Sequence, residues 1–89
     1  MNPAELINAL TAHEKNLLRT LRERDSDGYS LLRHSRLEAK EAEAAIDSLL
    51  QKGLINVEGT PRGPELNFAY FWVRPEARGY ADFVTGRSF

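Results

Sequence analysis

Cysteine is absent from this sequence, which removes disulfides, thiolate metal sites and cysteine nucleophiles from consideration. Histidine is scarce. His13 and His34 are the only two, and neither stands at helical ligand spacing from another histidine, so a metal centre has no framework. His13 falls where a helix begins and reads as a surface side chain. No Gly-x-Gly-x-x-Gly fingerprint, Walker-type loop or nucleophile elbow occurs. The stretch from Gly59 to Pro64 is rich in glycine and proline but reads as a hairpin tip that precedes no helix. No catalytic residue, metal or cofactor is therefore expected, and the chain does not read as an enzyme. Apolar runs fall well short of the ~18–20 residues of a membrane span. The opening Met1-Asn2-Pro3-Ala4-Glu5 has neither the basic start nor the apolar core of a signal peptide. A cytoplasmic protein with no membrane partner is the expectation. Neither sign of charge dominates: twelve basic and thirteen acidic side chains leave a net charge of −1. Any affinity for nucleic acid must come from local placement of charge.

What the chain does contain is a well-patterned globule. Eighty-nine residues, 42% hydrophobic and 28% charged, predict one domain over residues 1–89, of a size that buries roughly 60–65% of its unfolded surface. Residues 37–57 organise it. Ala42, Ala45, Ile46, Leu49 and Leu50 recur at three- and four-residue spacing, which places them on one side of a helix over residues 38–52. Lys40, Glu41, Glu43, Ala44, Asp47 and Gln51 fall on the other. Gly53 supplies the residue that tolerates positive φ just past the helix end, and Leu54-Ile55-Asn56-Val57 follows as a short strand.

Upstream, Asn2-Pro3-Ala4-Glu5 reads as the start of a short N-terminal helix over 1–10, with Leu6, Ile7 and Leu10 on its apolar side. Thr11-Ala12-His13-Glu14 is a capping box, so a second helix begins at Ala12 with Leu17, Leu18 and Leu21 inward. Asp25-Ser26-Asp27-Gly28 reads as a turn, Tyr29 as a one- or two-residue strand, and Ser30 as the cap of a short helix. Ser35-Arg36-Leu37 is the tight turn before the organising helix. Downstream, Leu66 to Val73 reads as one aromatic-rich strand, joined through the Gly/Pro loop into a hairpin. Residues 74–89 read as a C-terminal helix and tail, entered at Pro75, with Tyr80, Phe83 and Val84 apolar and Gly86 at its end.

Four segments, in order, resemble winged helix-turn-helix regulators of the MarR and PadR kinds. They are Leu10-Thr11-Ala12-His13-Glu14 with the leucines after it, Ser30-Leu31-Leu32 through Leu37, Arg36 to Ile55 with its Lys52-Gly53-Leu54-Ile55 exit, and Val73-Arg74-Pro75-Glu76-Ala77-Arg78 after the hairpin. The resemblance implies an α+β winged helix: a three-helix core over 11–73 with a small antiparallel β-wing, flanked by the terminal helices. It implies double-stranded DNA as partner, with the third helix (38–52) in the major groove and the wing tip on the backbone. Carried onto this sequence, the groove-facing positions are Lys40, Glu41 and Ala44, with Arg33 and Arg36 beside them and Arg62 on the wing.

Two features complicate that picture. Glu38, Glu41, Glu43 and Asp47 make the exposed side of the third helix acidic, whereas DNA affinity rests on neutralising phosphates. Basic residues at Arg33, His34, Arg36, Lys40 and Arg62 would have to form a compensating band. The second feature is the aromatic strand. Alternation puts Ala69, Phe71 and Val73 on one face and Leu66, Phe68, Tyr70 and Trp72 on the other. Both faces are apolar, so the outer one needs a cover. The terminal helices of the same chain supply one account. A homodimer interface built from Leu6, Leu10, Phe68, Tyr70, Trp72, Tyr80 and Phe83 supplies another. The alternative function is a winged-helix protein-interaction module, docking a basic partner on the acidic helix or another protein on the aromatic face.

Overall fold

A computed structural model describes residues 8–79 of the chain. The expected helix over 1–10 lies outside this range except for its last three residues. Tyr80, Phe83, Val84 and Gly86, expected in the C-terminal helix, also lie outside it.

Helix α1 (Ala12–Glu23) starts where the capping box places it. The Glu14 N–H donates to Thr11 Oγ1 at 3.1 Å, and the Thr11 N–H donates back to Glu14 Oε1 at 3.2 Å. Two backbone donors at the helix start are thereby satisfied. Leu17, Leu18 and Leu21 are buried below it.

The next segment departs from expectation. Residues 25–28 are not a simple turn, and Tyr29 is not a strand. Ser26–Asp27 forms β1, and helix α2 (Gly28–Ser35) follows without a break. The cap is Asp27, not Ser30: its carboxylate accepts the Ser30 N–H at 2.7 Å. Aspartate caps as well as serine does, so the helix begins three residues early. Glycine is required at its first position. A Cβ on Gly28 would sit 1.7 Å from the Leu66 carbonyl oxygen, and the Gly28 N–H donates to Ala69 O at 2.8 Å.

Arg36 ends α2 in the left-handed region, φ 60° and ψ 29°, a conformation that costs an arginine roughly 1–2 kcal/mol. Its N–H returns to Leu32 O at 2.8 Å. Helix α3 (Ala39–Gln51) then runs as the periodicity predicts, burying Ala42, Ala45, Ile46 and Leu49 with Leu50 half-buried. Its exit is a Schellman closure. The Gly53 N–H donates to Leu50 O and the Leu54 N–H to Leu49 O, at 3.0 and 3.1 Å, while Gly53 takes φ +72°.

Strand β2 (Ile55–Glu58) pairs antiparallel with β3 (Tyr70–Val73), Ile55 opposite Val73 and Glu58 opposite Tyr70. β1 pairs on the other side of β3, giving the order β1–β3–β2. The expected strand from Leu66 is half as long. Gly63–Phe68 winds instead into a 3₁₀-helix, with Pro64 in its first turn and the Ala69 N–H bonding back to the Glu65 and Leu66 carbonyls. The Gly/Pro stretch therefore does lead into a helical segment. This changes the phase of the side chains. Leu66, expected on the outer face, is buried, and Phe68 is 86% exposed. From Ala69 onward the alternation holds, with Ala69, Phe71 and Val73 buried. A 3₁₀ turn at Pro75–Ala77 follows and buries Ala77. No helix among the described residues is long and apolar enough to cross a membrane.

Candidate nucleic-acid interface

The helix-turn-helix pair α2–α3 presents its connecting turn to solvent. Arg36 is exposed there, held out by the left-handed backbone at its own position. Lys40, Glu41 and Ala44 are exposed on the first two turns of α3. Lys40, Ala44 and Asp47 follow at four- and three-residue spacing, so they form one stripe.

The acidic side of α3 is partly engaged within the chain. Glu41 Oε1 accepts the Glu38 N–H at 3.1 Å, completing the start of the helix. Its Oε2 lies 3.3 Å from His13 Nε2 on α1. Asp47 receives Arg62 from the wing loop, one guanidinium nitrogen standing 3.3 and 3.4 Å from the two carboxylate oxygens. A carboxylate near the N-terminus of a helix also sits favourably in the helix dipole, which suits Glu41 to that place.

The basic residues do not share one environment. Arg33 lies over the Tyr29 ring, 5.7 Å from its centroid, one helical turn along α2. His34 faces a cleft of about 640 Å³ at the end of α1, together with Arg19, Arg24, Asp27 and Tyr70. Arg62 is paired with Asp47. The expected band thus reduces to Arg36 and Lys40 at the start of α3, with Arg33 on the preceding helix. Positive and negative side chains interleave along the cleft, so it offers no field of one sign.

Of the residues expected at an interface, Leu10 is buried in the chain's own core at 6% exposure and offers nothing to a neighbour. Phe68 and Tyr70 are exposed and Trp72 is half-buried. Tyr70 and Trp72 stack at a tilt, 6.3 Å between centroids. Leu6, Tyr80 and Phe83 lie outside the described residues.

One buried polar site had no complete signature in the sequence. Glu14 accepts Lys52 Nζ at 2.7 Å and Ser48 Oγ at 3.0 Å through the oxygen that the capping box does not use. Burial pushes this carboxyl up, but the Lys52 ammonium, the Thr11 amide and hydroxyl and the Ser48 hydroxyl together outweigh it. They hold Glu14 below its ordinary value of 4.5. The capping box reveals Glu14 as a local residue. Only packing reveals that α3 supplies its other partners. Among the described residues no group of three or more histidine, aspartate or glutamate side chains is placed to hold a metal ion.

Among solved structures, the chain is similar to the adhesin competence repressor (AdcR) of Streptococcus pyogenes, with a TM-score of 0.69 and 20% identity. The match takes in 89% of this chain and 57% of that one, so this chain spans little more than half the length of its structural relative. At that identity the likeness establishes the fold: α+β, a winged helix-turn-helix. No family model and no curated protein matches the chain.

Proposed function

We propose that this chain is a small winged-helix transcriptional regulator of the MarR or PadR kind that binds double-stranded DNA. In this reading residues 1–89 form one domain, with an N-terminal helix over 1–10, a core over 11–73 and a C-terminal helix and tail over 74–89. The observation that carries it is the placement of Arg36, Lys40 and Ala44. Arg36 projects from a left-handed turn immediately before α3, and the next two exposed turns carry Lys40 and the small Ala44. A cation at the entry to α3, followed on the exposed side by Lys40 and the small Ala44, suits major-groove insertion, with Arg36 on phosphate and Lys40 on phosphate or a base edge. The likeness to a repressor supports the same reading. In the free protein Arg62 offsets the charge of Asp47, and Glu41 accepts the Glu38 N–H and lies beside His13. Two copies reading two half-sites would supply the affinity that a single, weakly basic copy lacks.

Titration of a labelled duplex at two salt concentrations tests this. Arg36→Ala and Lys40→Ala should each weaken binding and lower the salt slope by about 0.9 for every phosphate left without its cation. Failure of the wild-type protein to bind at low salt would reject the reading.

A second reading, the protein-interaction module, is favoured by one observation. Phe68, Tyr29 and Tyr70 are 86%, 55% and 44% exposed, apolar surface of the kind that a partner can cover. The aromatic face suits a partner better than the acidic helix does, since Glu41 and Asp47 already have partners within the chain. Sedimentation of wild type beside Phe68→Ala reports on this surface directly. Self-association lost in the variant would support a homodimer through the wing, and a monomer at high micromolar concentration would exclude it.

A further inference from the structure

The Arg62–Asp47 contact joins the wing loop to the stripe of α3 that carries Lys40 and Ala44. It is a loose pair. A single nitrogen, Nη2, reaches both carboxylate oxygens at 3.3 and 3.4 Å, without the two-nitrogen fork that makes arginine–carboxylate pairs strong. Both side chains meet solvent, at 66% and 38% exposure, so water screens the attraction. A tighter or more buried pair would resist exchange, and this one does not.

We propose that Asp47 is an internal substitute for a DNA phosphate: it occupies the Arg62 guanidinium in the free protein and yields it when a duplex seats against α3. The inference rests on the DNA reading above and deepens it by assigning roles to two residues. In the free protein the pair is neutral, so Arg62 adds little to the long-range attraction of DNA. Once α3 is in the groove, the phosphates flanking that groove approach the wing, and the guanidinium exchanges one oxyanion for another. The exchange leaves Asp47 uncovered beside the duplex. Arg62 therefore contributes only where the whole face is seated, and Asp47 holds down binding that falls short of that.

The test uses a mixed-sequence duplex titrated at several salt concentrations with wild type, Asp47→Asn, and the double variant Asp47→Asn with Arg62→Gln. The single variant frees Arg62 beforehand and removes the stranded carboxylate, so it should bind about two- to five-fold more tightly, the range set by the worth of an exposed pair. The double variant has the same net charge as wild type, yet should show a salt slope smaller by about 0.9, the value for one phosphate that Arg62 no longer neutralises. A double variant that matches wild type in affinity and slope would mean that the pair stays closed on DNA, and would overturn the proposal. So would weaker binding by Asp47→Asn, which would make Asp47 a residue that positions Arg62. Absence of binding by wild type at low salt is a different result, and it removes the DNA reading itself. Unchanged melting temperatures are expected, because neither side chain belongs to the core.

Discussion

The Nζ of Lys52 lies 2.7 Å from Oε2 of Glu14, so the residue that closes α3 is bound to the first turn of α1. Ser48, one turn earlier on α3, donates to the same oxygen. Glu14 thus serves two purposes at once. One oxygen begins a helix, and the other holds a second helix against it. The carboxylate is almost wholly buried, and Lys52 closes over it from the solvent side, with 30% of its side chain exposed.

Replacing Glu14 with glutamine should therefore cost more than a surface change. The amide keeps the shape but loses the charge that Lys52, Ser48 and the Thr11 amide all address. Hydrogen bonds to charged groups contribute about 1.5–3 kcal/mol, and a loss in that range is expected by urea denaturation. A loss below about 0.5 kcal/mol would show that the tie is ornamental to stability.

The same carboxylate gives stability a dependence on pH with a definite sign. Its folded-state value lies below the ordinary 4.5, so the folded state binds this proton less readily than the unfolded chain. The contribution is complete above the unfolded value and is lost as pH falls through the folded one. Unfolding free energy should decline on the acid side of about pH 4.5, and Glu14→Gln should show a shallower decline. Equal acid slopes in wild type and variant would place the lost stability in other carboxylates.

Gly28→Ala tests the fit between α2 and the wing. Alanine is the better helix former, by about 1 kcal/mol. Here the new methyl would meet the Leu66 carbonyl oxygen at 1.7 Å, and backbone cannot yield as a side-chain tip does. Overpacking costs of about 1–3 kcal/mol should outweigh the propensity gain, lowering the melting temperature. A more stable variant would mean that the 3₁₀-helix moves aside without cost.

Phe68 and Phe71 stand three residues apart and should behave oppositely. Phe71 is fully buried and Phe68 is 86% exposed. Phe71→Ala should lose about 3–5 kcal/mol, and Phe68→Ala should stay within about 0.5 kcal/mol in a monomeric sample. Comparable losses at both positions would mean that Phe68 is packed rather than exposed.

Sequence alone determined the features whose partners are near in the chain. The Thr11–Glu14 box, the apolar side of α3 and the glycine exit at Gly53 depend on hydrogen bonds and side-chain rows spanning three to five residues. The winged helix was legible from the order of such features, and the exposure of Lys40 and Ala44 followed from the phase of α3. Tertiary structure decided the rest. Asp27 pairs with Tyr70 across the sheet, and that pairing turns a polar run that reads as a turn into β1. Pro64 and the packing of the 3₁₀-helix against α2 divide an apolar run that periodicity reads as one strand. Glu14 meets Lys52 across 38 positions and Arg62 meets Asp47 across 15. Whether a given charge on α3 is free or engaged depends on which side chains folding brings within about 4 Å of it, and spacing along the chain carries no record of that distance.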